Sequence, residues 1–396
     1  MSEILAKANE LKEFMTQARR HFHQYPELSH KEFETTKHIK KCLNEMGVAL
    51  LDIPFNTGCI AMIKGEANGP DIISAIRADI DALPIIESTG LPYSSKNEGV
   101  MHACGHDGHT ACLLGVAKLL NANKDKFSGT AMLIFQPAEE GERGANSMLE
   151  KGAFEKYKPD EVIALHAFPA VPIGKVGIMP LKAMASADKF SVKVIGKGGH
   201  GARPYEAINP IYATLPMISA ISAITANQIP TFDSVVISVC TINAGIAANV
   251  IPQELTFSGT VRCLENGNRK VVREHIERII SGISASYGTT YEINYKEGAS
   301  ALTNSKDVNE KIMQAAIDSI GRENVTVLET ATMGSEDFSD FIMALDGKGA
   351  MFRLGTGKEG VANAALHNHL YDFNDAALPI GCAVMCQYIF NKHRVD

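Results

Sequence analysis

No basic run occurs in this sequence, and its formal net charge is −7, so neither nucleic acid nor an anionic membrane is expected as a partner. No apolar run is long enough to span a bilayer. The first residues, Met1 to Lys7, alternate charge with apolar side chains and lack the uninterrupted apolar core of a signal peptide. The eight cysteines (Cys42, Cys59, Cys104, Cys112, Cys240, Cys263, Cys382, Cys386) are scattered, mostly among apolar neighbours, rather than clustered as in a secreted disulfide scaffold. A reducing cytoplasm is the compartment this usage implies. Repeats, low-complexity tracts and long linkers are missing too. What remains is a globular composition, 45% hydrophobic and 21% charged. At 396 residues the chain is too long for one ordinary core, and two or three domains are expected.

One stretch stands out against this background. Val100-Met101-His102-Ala103-Cys104-Gly105-His106-Asp107-Gly108-His109 concentrates three imidazoles, a thiol and a carboxylate around two glycines, just before an apolar helical pattern. Each of these side chains costs free energy if buried unpaired, so a plain connecting loop has no use for them. Their density points to a metal centre whose remaining ligands lie downstream.

Along the chain, apolar positions at helical spacing run from about Ile4 to Gln24, and Ser29-His30-Lys31-Glu32 reads as a capping box opening a second helix to about Met46. His21, His23, His30 and His38 fall here and are expected at the surface or at caps. Cys59 to Ile63 and Ile72 to Ile76 read as strands, the second leading into Arg77-Ala78-Asp79-Ile80-Asp81-Ala82-Leu83-Pro84. Two aspartates at i, i+2 can face the same side. A helix from His109 to Leu120 is followed by a strand, Thr130 to Phe135, which enters Gln136-Pro137-Ala138-Glu139-Glu140-Gly141. In an extended segment adjacent carboxylates point apart, so one can bind metal while its neighbour handles a proton. After a short helix near Gly144 to Leu149, the strand Glu161 to Leu165 closes at His166, which by itself fits a core residue or a ligand equally. Strands delivering ligand-type residues at their C-terminal ends are the pattern of a parallel α/β sheet with a site along one edge.

The texture changes after Pro180. Residues 185–293 read as strand (Lys189 to Ile195), helix (Pro210 to Ala226), two strands (Ser234 to Ile242, Glu254 to Cys263), helix (Arg269 to Tyr287) and strand, a ferredoxin-like βαββαβ unit. The α/β pattern then resumes with a helix (Lys306 to Ile320), the loop Met333-Gly334-Ser335-Glu336-Asp337-Phe338, a strand (Ala350 to Leu354), Leu366-His367-Asn368-His369 and a final helix (Ala376 to Lys392). The expected architecture is therefore an α/β domain made of residues 1–184 and 294–396, with a central mainly parallel sheet, interrupted by an inserted α+β domain of residues 185–293. Glycines 196, 198, 199 and 201 around His200 lack the Lys-Ser/Thr pair of a phosphate loop and read as a hinge presenting His200.

Cys104, His106, Glu140, His166 and His367 together offer one thiolate, one carboxylate and three imidazoles, donors that suit zinc and its neighbours. Five ligands exceed what a four-coordinate structural zinc needs, and no Cys-x-x-Cys pair is present, so two metals with open positions fit better. The stretches His102 to His109, Gln136 to Gly141, Gly198-Gly199-His200-Gly201-Ala202-Arg203-Pro204 and Met333 to Phe338 resemble the M20 metallopeptidase family. Within it they are similar to the amidohydrolase branch of hippurate hydrolases, N-acyl-amino-acid amidohydrolases and auxin-conjugate hydrolases.

This resemblance implies a binuclear metal-dependent amidohydrolase with a catalytic domain and a smaller lid or dimerisation domain. It makes Cys104, His106, Glu140, His166 and His367 the ligands of two divalent ions (zinc, manganese, cobalt or nickel), with Cys104 bridging. Glu139 becomes the general base, which takes a proton from the attacking water and passes it to the leaving amine. His200 would stabilise the tetrahedral oxyanion, from its own or a partner subunit, while Arg262 and Asn249 would bind the substrate's carboxylate or carbonyl groups. Peptidase branches carry His-x-Asp where this chain has Asp79-Ile80-Asp81, so His106 takes the first ligand role and Asp81 orients a ligand. His102, Asp107 and His109 are left with supporting or helix-starting roles. The expected reaction is hydrolysis of an N-acyl amino acid by a homodimer or homotetramer. Alternatives on the same fold are a dipeptidase or aminoacylase and an N-acetyl-diaminopimelate deacetylase. A non-catalytic binding protein would have lost ligands or base, and this chain retains all five ligands and Glu139.

Overall fold

The computed structural model describes residues 2–141, 143–358, 360 and 363–393. It divides into two compact units: one of Met1–Leu181, Thr303–Thr330 and Asp337–Asp396, the other of Lys182–Leu302 and Ala331–Glu336. The second unit is wider than the 185–293 expected. Ala185 N–H donates to Thr332 O (3.1 Å) and Gly334 O (2.9 Å), which joins 331–336 to it. Among the described residues no helix is long and apolar enough to cross a membrane.

The first unit is built on an eight-stranded sheet in the order Ala49–Leu50, Cys59–Lys64, Thr130–Gln136, Ile73–Asp79, Glu161–Pro172, Gly349–Gly357, Val176–Ile178, Val325–Val327. Its centre is parallel: Ile73–Asp79 pairs in parallel with Thr130–Gln136 on one side and Glu161–Pro172 on the other, and the latter pairs in parallel with Gly349–Gly357. Thr130–Gln136 and Gly349–Gly357 are buried at every position, as strands covered on both faces must be. The C-terminal ends of three neighbouring strands thus open along one edge, where sites form in such sheets.

Helix His106–Asn121 is buried almost all round, because Lys12–Gln24 and Leu378–Lys392 pack against it. Its four leucines favour a helix, and with Ala111, Cys112, Val116 and Ala117 they leave no polar face in its middle. It begins at His106 and not at His109. Gly105 takes a left-handed φ of 90°, and its carbonyl accepts from the amides of Gly108 (2.9 Å) and His109 (3.1 Å). His106 and Asp107 therefore ride on the first turn of a rigid helix.

Three other expectations are corrected. The Ser29–Glu32 capping box does not form. The helix is Phe33–Glu45, its first-turn amides of Glu34 and Thr35 are taken by Glu27, and the Ser29 hydroxyl donates to Asp81 Oδ2 at 2.7 Å. His23 is not at the surface but wholly buried, since that face of Lys12–Gln24 meets Asp107. His166 does not close its strand, which continues to Pro172, paired in register through Arg353↔His166.

The second unit is a four-stranded antiparallel sheet ordered Val235–Ala244, Glu254–Cys263, Asp188–Ile195, Thr290–Lys296. Helices Pro210–Ser222 and Asn266–Tyr287 share a core with its inner face, the βαββαβ arrangement. The first helix stops at Ser222, and a separate turn follows at Ile224–Asn227.

Gly108 faces the Phe373 ring so closely that an added Cβ would lie 2.4 Å from its edge. Gly108→Ala should overpack this contact and lower stability by about 1–3 kcal/mol, measured by urea unfolding. An unchanged midpoint would show that the ring yields freely.

Candidate metal centre

Four segments of the first unit converge at the sheet's C-terminal edge. Ile73–Asp79 runs on into Asp81; the turn at Gly105 delivers Cys104 and His106; Thr130–Gln136 delivers Glu139 and Glu140; and Glu161–Pro172 delivers His166. The stretch before the last helix adds His367. Ala138 has a left-handed φ of 56° and Gly141 one of 93°, so the chain turns sharply at the carboxylate pair. Gly144 permits this turn, because a Cβ there would lie 1.6 Å from Pro137 O. Glu139 and Glu140 are consequently in a turn and not in an extended strand. They do not point apart: one oxygen of each and a nitrogen of His106 lie within 4.8 Å of one another.

The donor atoms fall into two overlapping trios, Cys104–His106–His166 and Cys104–Glu140–His367, each within 4.8 Å. Cys104 belongs to both. Orientation of the rings follows from their backbone contacts. His106 Nδ1 is 2.9 Å from Asp81 O, which can only accept, so Nδ1 carries the proton and Nε2 is turned inward. The Asp81 carboxylate supports the same ring at 3.2 Å and accepts from the Glu140 amide at 3.0 Å, tying two donor segments together. His166 Nδ1 likewise donates to Ala167 O (2.8 Å), leaving Nε2 at 3.5 Å from Cys104 Sγ. His106 Nε2 and Glu140 Oε1 are buried without a hydrogen-bond partner, although His367 Nε2 is 3.4 Å from the latter. Buried lone pairs of this kind, beside a thiol and inward-facing imidazoles, fit a divalent cation.

Charge balance points the same way. Burial pushes the Cys104 thiol up, and the Glu140 charge adds to this. Burial opposes a charge on His106, but Asp79 and Cys104 hold its proton affinity well above the ordinary value. The adjoining Cys104 thiol and Glu140 carboxylate raise His367 to about 10, whereas burial and the Arg353 cation keep His166 neutral. Protons and a metal would compete for these atoms.

His109 is excluded from the donor set. Its Nε2 accepts from the Ala167 amide (2.8 Å), which places its proton on Nδ1, and that proton goes to Asp79 Oδ1 at 2.6 Å. Asp79 in turn is held by Arg77 at 2.5 Å, and Arg77 also meets Gln136 and Asp337. Arg77 was missed from the sequence. The available signal was a lone cation inside an apolar strand, which must find a buried anion.

The remaining candidates lie in the second unit. His200 belongs to a two-residue ribbon, Gly199–His200 paired with Val250–Ile251, and not to a free hinge; His200 stands opposite Val250, and Gly201 N–H donates to Asn249 O at 2.8 Å. Arg262 donates to Ser335 Oγ at 3.0 Å.

Behind the centre, His23 Nδ1 is 2.8 Å from Asp107 and Nε2 is 3.3 Å from Glu87. Burial alone would lower His23 below its ordinary 6.5, but these hydrogen bonds raise it to about 9. A value raised by folding contributes stability that is complete below about pH 6.5 and lost as pH rises through about 9. His23→Gln should therefore be less stable than the parent near pH 6, by at most roughly 3 kcal/mol, and converge with it above pH 9. Unfolding measured across that range checks this, and a gap that stays constant contradicts it.

Residues 75–391 match the model of peptidase family M20/M25/M40. The chain is 41% identical over 335 residues to an N-acetyl-L-cysteine deacetylase of Bacillus subtilis, covering 84% of this chain and 79% of the relative. It is 38% identical over 360 residues to the hippurate hydrolase of Campylobacter jejuni, covering 91% of each. Its structure is similar to that of YXEP of Bacillus subtilis, a dinuclear metal binding peptidase of the M20 family, with a TM-score of 0.82, 33% identity, and coverage of 97% of this chain and 99% of that one. With a parallel-sheet edge that gathers thiol, carboxylate and imidazole donors, the chain belongs to peptidase family M20/M25/M40, as a metal-dependent hydrolase of its amidohydrolase branch.

Proposed function

We propose that this protein hydrolyses the amide bond of N-acyl amino acids, releasing a carboxylic acid and a free amino acid, with two divalent ions per chain. The observation that carries this reading is the pair of donor trios sharing Cys104, with Glu139 beside them. Cys104, His106 and His166 would hold one ion and Cys104, Glu140 and His367 the other. Sulfur, nitrogen and oxygen donors together suit zinc, manganese, cobalt or nickel. When bound, such ions polarise a carbonyl and make water acidic enough to attack near neutrality.

The side chains do the rest. Glu139 takes the proton of the attacking water and returns it to the departing amine nitrogen, since an amine leaves only once protonated. Asp81 holds His106 in the tautomer that presents Nε2. Cys104 and His367 must each give up a proton to act as ligands, so ion affinity should fall as pH falls. His200 is assigned to the developing oxyanion, from its own chain or a partner's. Arg262 and Asn249 are assigned to the substrate's carboxylate and carbonyl groups. The activities named for the two curated relatives, on N-acetyl-L-cysteine and on hippurate, support the N-acyl amino acid class.

Purified protein assayed on N-acetylcysteine, hippurate, N-acetylmethionine, N-acetyl-diaminopimelate and unacylated dipeptides should prefer N-acyl monoamino acids. Glu139→Gln should lose orders of magnitude in turnover while elemental analysis finds its ions retained. Full activity in chelated, ion-free protein, or in the Gln variant, refutes the mechanism.

A second copy of the chain is the proposed partner. Val235–Ala244 is an edge strand exposing Val236 and Ile242, and Tyr212 and Leu215 are both 61% exposed on Pro210–Ser222. Unpaired edges with apolar side chains invite pairing. Sedimentation should show a dimer or tetramer that Ile242→Lys dissociates; a monomeric parent protein removes the proposal.

A further inference from the structure

Resting on the ligand assignment above, we propose that Arg19 is a positioning residue which locks the segments carrying His106 and His367 in mutual register and thereby sets the affinity of the ion pair. Arg19 lies on helix Lys12–Gln24, far in sequence from every donor, and is completely buried. Its Nε donates to Asp107 Oδ2 at 2.8 Å, one Nη to Asp372 Oδ1 at 2.6 Å and the other to Asp375 Oδ1 at 3.4 Å. Asp107 follows His106 directly in the first turn of its helix. Asp372 and Asp375 lie on the connection that carries His367 into the last helix. A single guanidinium plane therefore bolts together the helix start that holds one trio and the connection that completes the other.

His367 needs such an anchor. It is half exposed and sits at φ 63°, a left-handed conformation that a residue with a Cβ does not hold without support. His367 N–H donates to Ala103 O at 2.8 Å. The following residues are held by Ser88 N–H donating to His369 O (2.9 Å) and by the buried rings of Tyr371 and Phe373; the aspartates on Arg19 tie this connection to the helix that starts at His106. Only a planar fork with separate N–H directions satisfies three carboxylates at once, so lysine, with the same charge, is a poor substitute. Without the fork, Asp107 loses a buried cation and the connection is repelled from the helix start. The donor trio that includes His367 then loosens, while the Cys104–His106–His166 trio keeps its backbone supports.

The test is ion binding by Arg19→Lys and Asp372→Asn, with the parent protein alongside, titrated with zinc at buffered free concentrations and read by elemental analysis. Thermal unfolding of the ion-free forms runs in parallel. Expected is a parent that holds two ions, and variants that stay folded when ion-free but bind the weaker ion at least tenfold less tightly, with the tighter one retained. Variants that bind both ions with parental affinity overturn the role of Arg19 and leave the ligand assignment intact. A parent protein that binds no zinc overturns the ligand assignment and this role with it. Should Arg19→Lys fail to fold, Asp372→Asn, which removes only one branch of the fork, decides by the same readout.

Discussion

A backbone carbonyl governs the centre. Asp81 O can only accept, so the ring of His106 has to place its proton on Nδ1 and turn Nε2 toward Cys104 and Glu140. The same device, with Ala167 O, sets His166. The mirror of it, an amide that can only donate, closes Nε2 of His109 and sends its proton to Asp79. Three imidazoles within a few ångströms thus receive different duties from whether the nearest peptide group offers an oxygen or a hydrogen. These peptide groups are rigid because they belong to, or immediately follow, strands of the parallel sheet.

Around this arrangement two buried charge networks hold the donor segments. Arg77 neutralises Asp79 and binds Gln136 and Asp337, which fixes the ends of two neighbouring strands. Arg19 does the same for the helix start and the final connection. The Arg77 network reinforces two strands already paired at Asp79 and Gln136 and adds Asp337 to them, whereas the Arg19 network joins a helix start to a connection distant in sequence. Breaking such a buried pair by removing one partner is costly, since the other charge is left unpaired. The donor atoms themselves keep conflicting proton affinities, which suits a place where cations displace protons.

Much of this was legible in the chain itself. Ligand-grade residues at strand ends stood out against an apolar background, and the change of texture after Pro180 marked an inserted unit whose strand order is that of a βαββαβ fold. Local capping was less legible. Ser29 looked like a helix cap, yet its hydroxyl is taken by Asp81, because a buried carboxylate outcompetes a helix amide that Glu27 can serve instead. The carboxylate pair Glu139–Glu140 looked extended, but the left-handed φ at Ala138 turns both toward His106. Nor did amphipathic spacing reveal that His23 faces a buried carboxylate rather than water.

Local patterning set the order of elements and the residue types available for chemistry, because apolar periodicity and turn residues act over a few neighbours. Residue pattern left His166 open between core and ligand, and the family resemblance singled out His106, His166 and His367 among 13 histidines. Tertiary structure supplied the tautomers, since which ring nitrogen carries the proton depends on the donor or acceptor that stands against it. Those groups come from distant segments: Asp81 for His106, Ala167 for His109, and Asp107 for His23. Arg19 shows the same limit, for its role exists only once Asp107, Asp372 and Asp375 are folded around it.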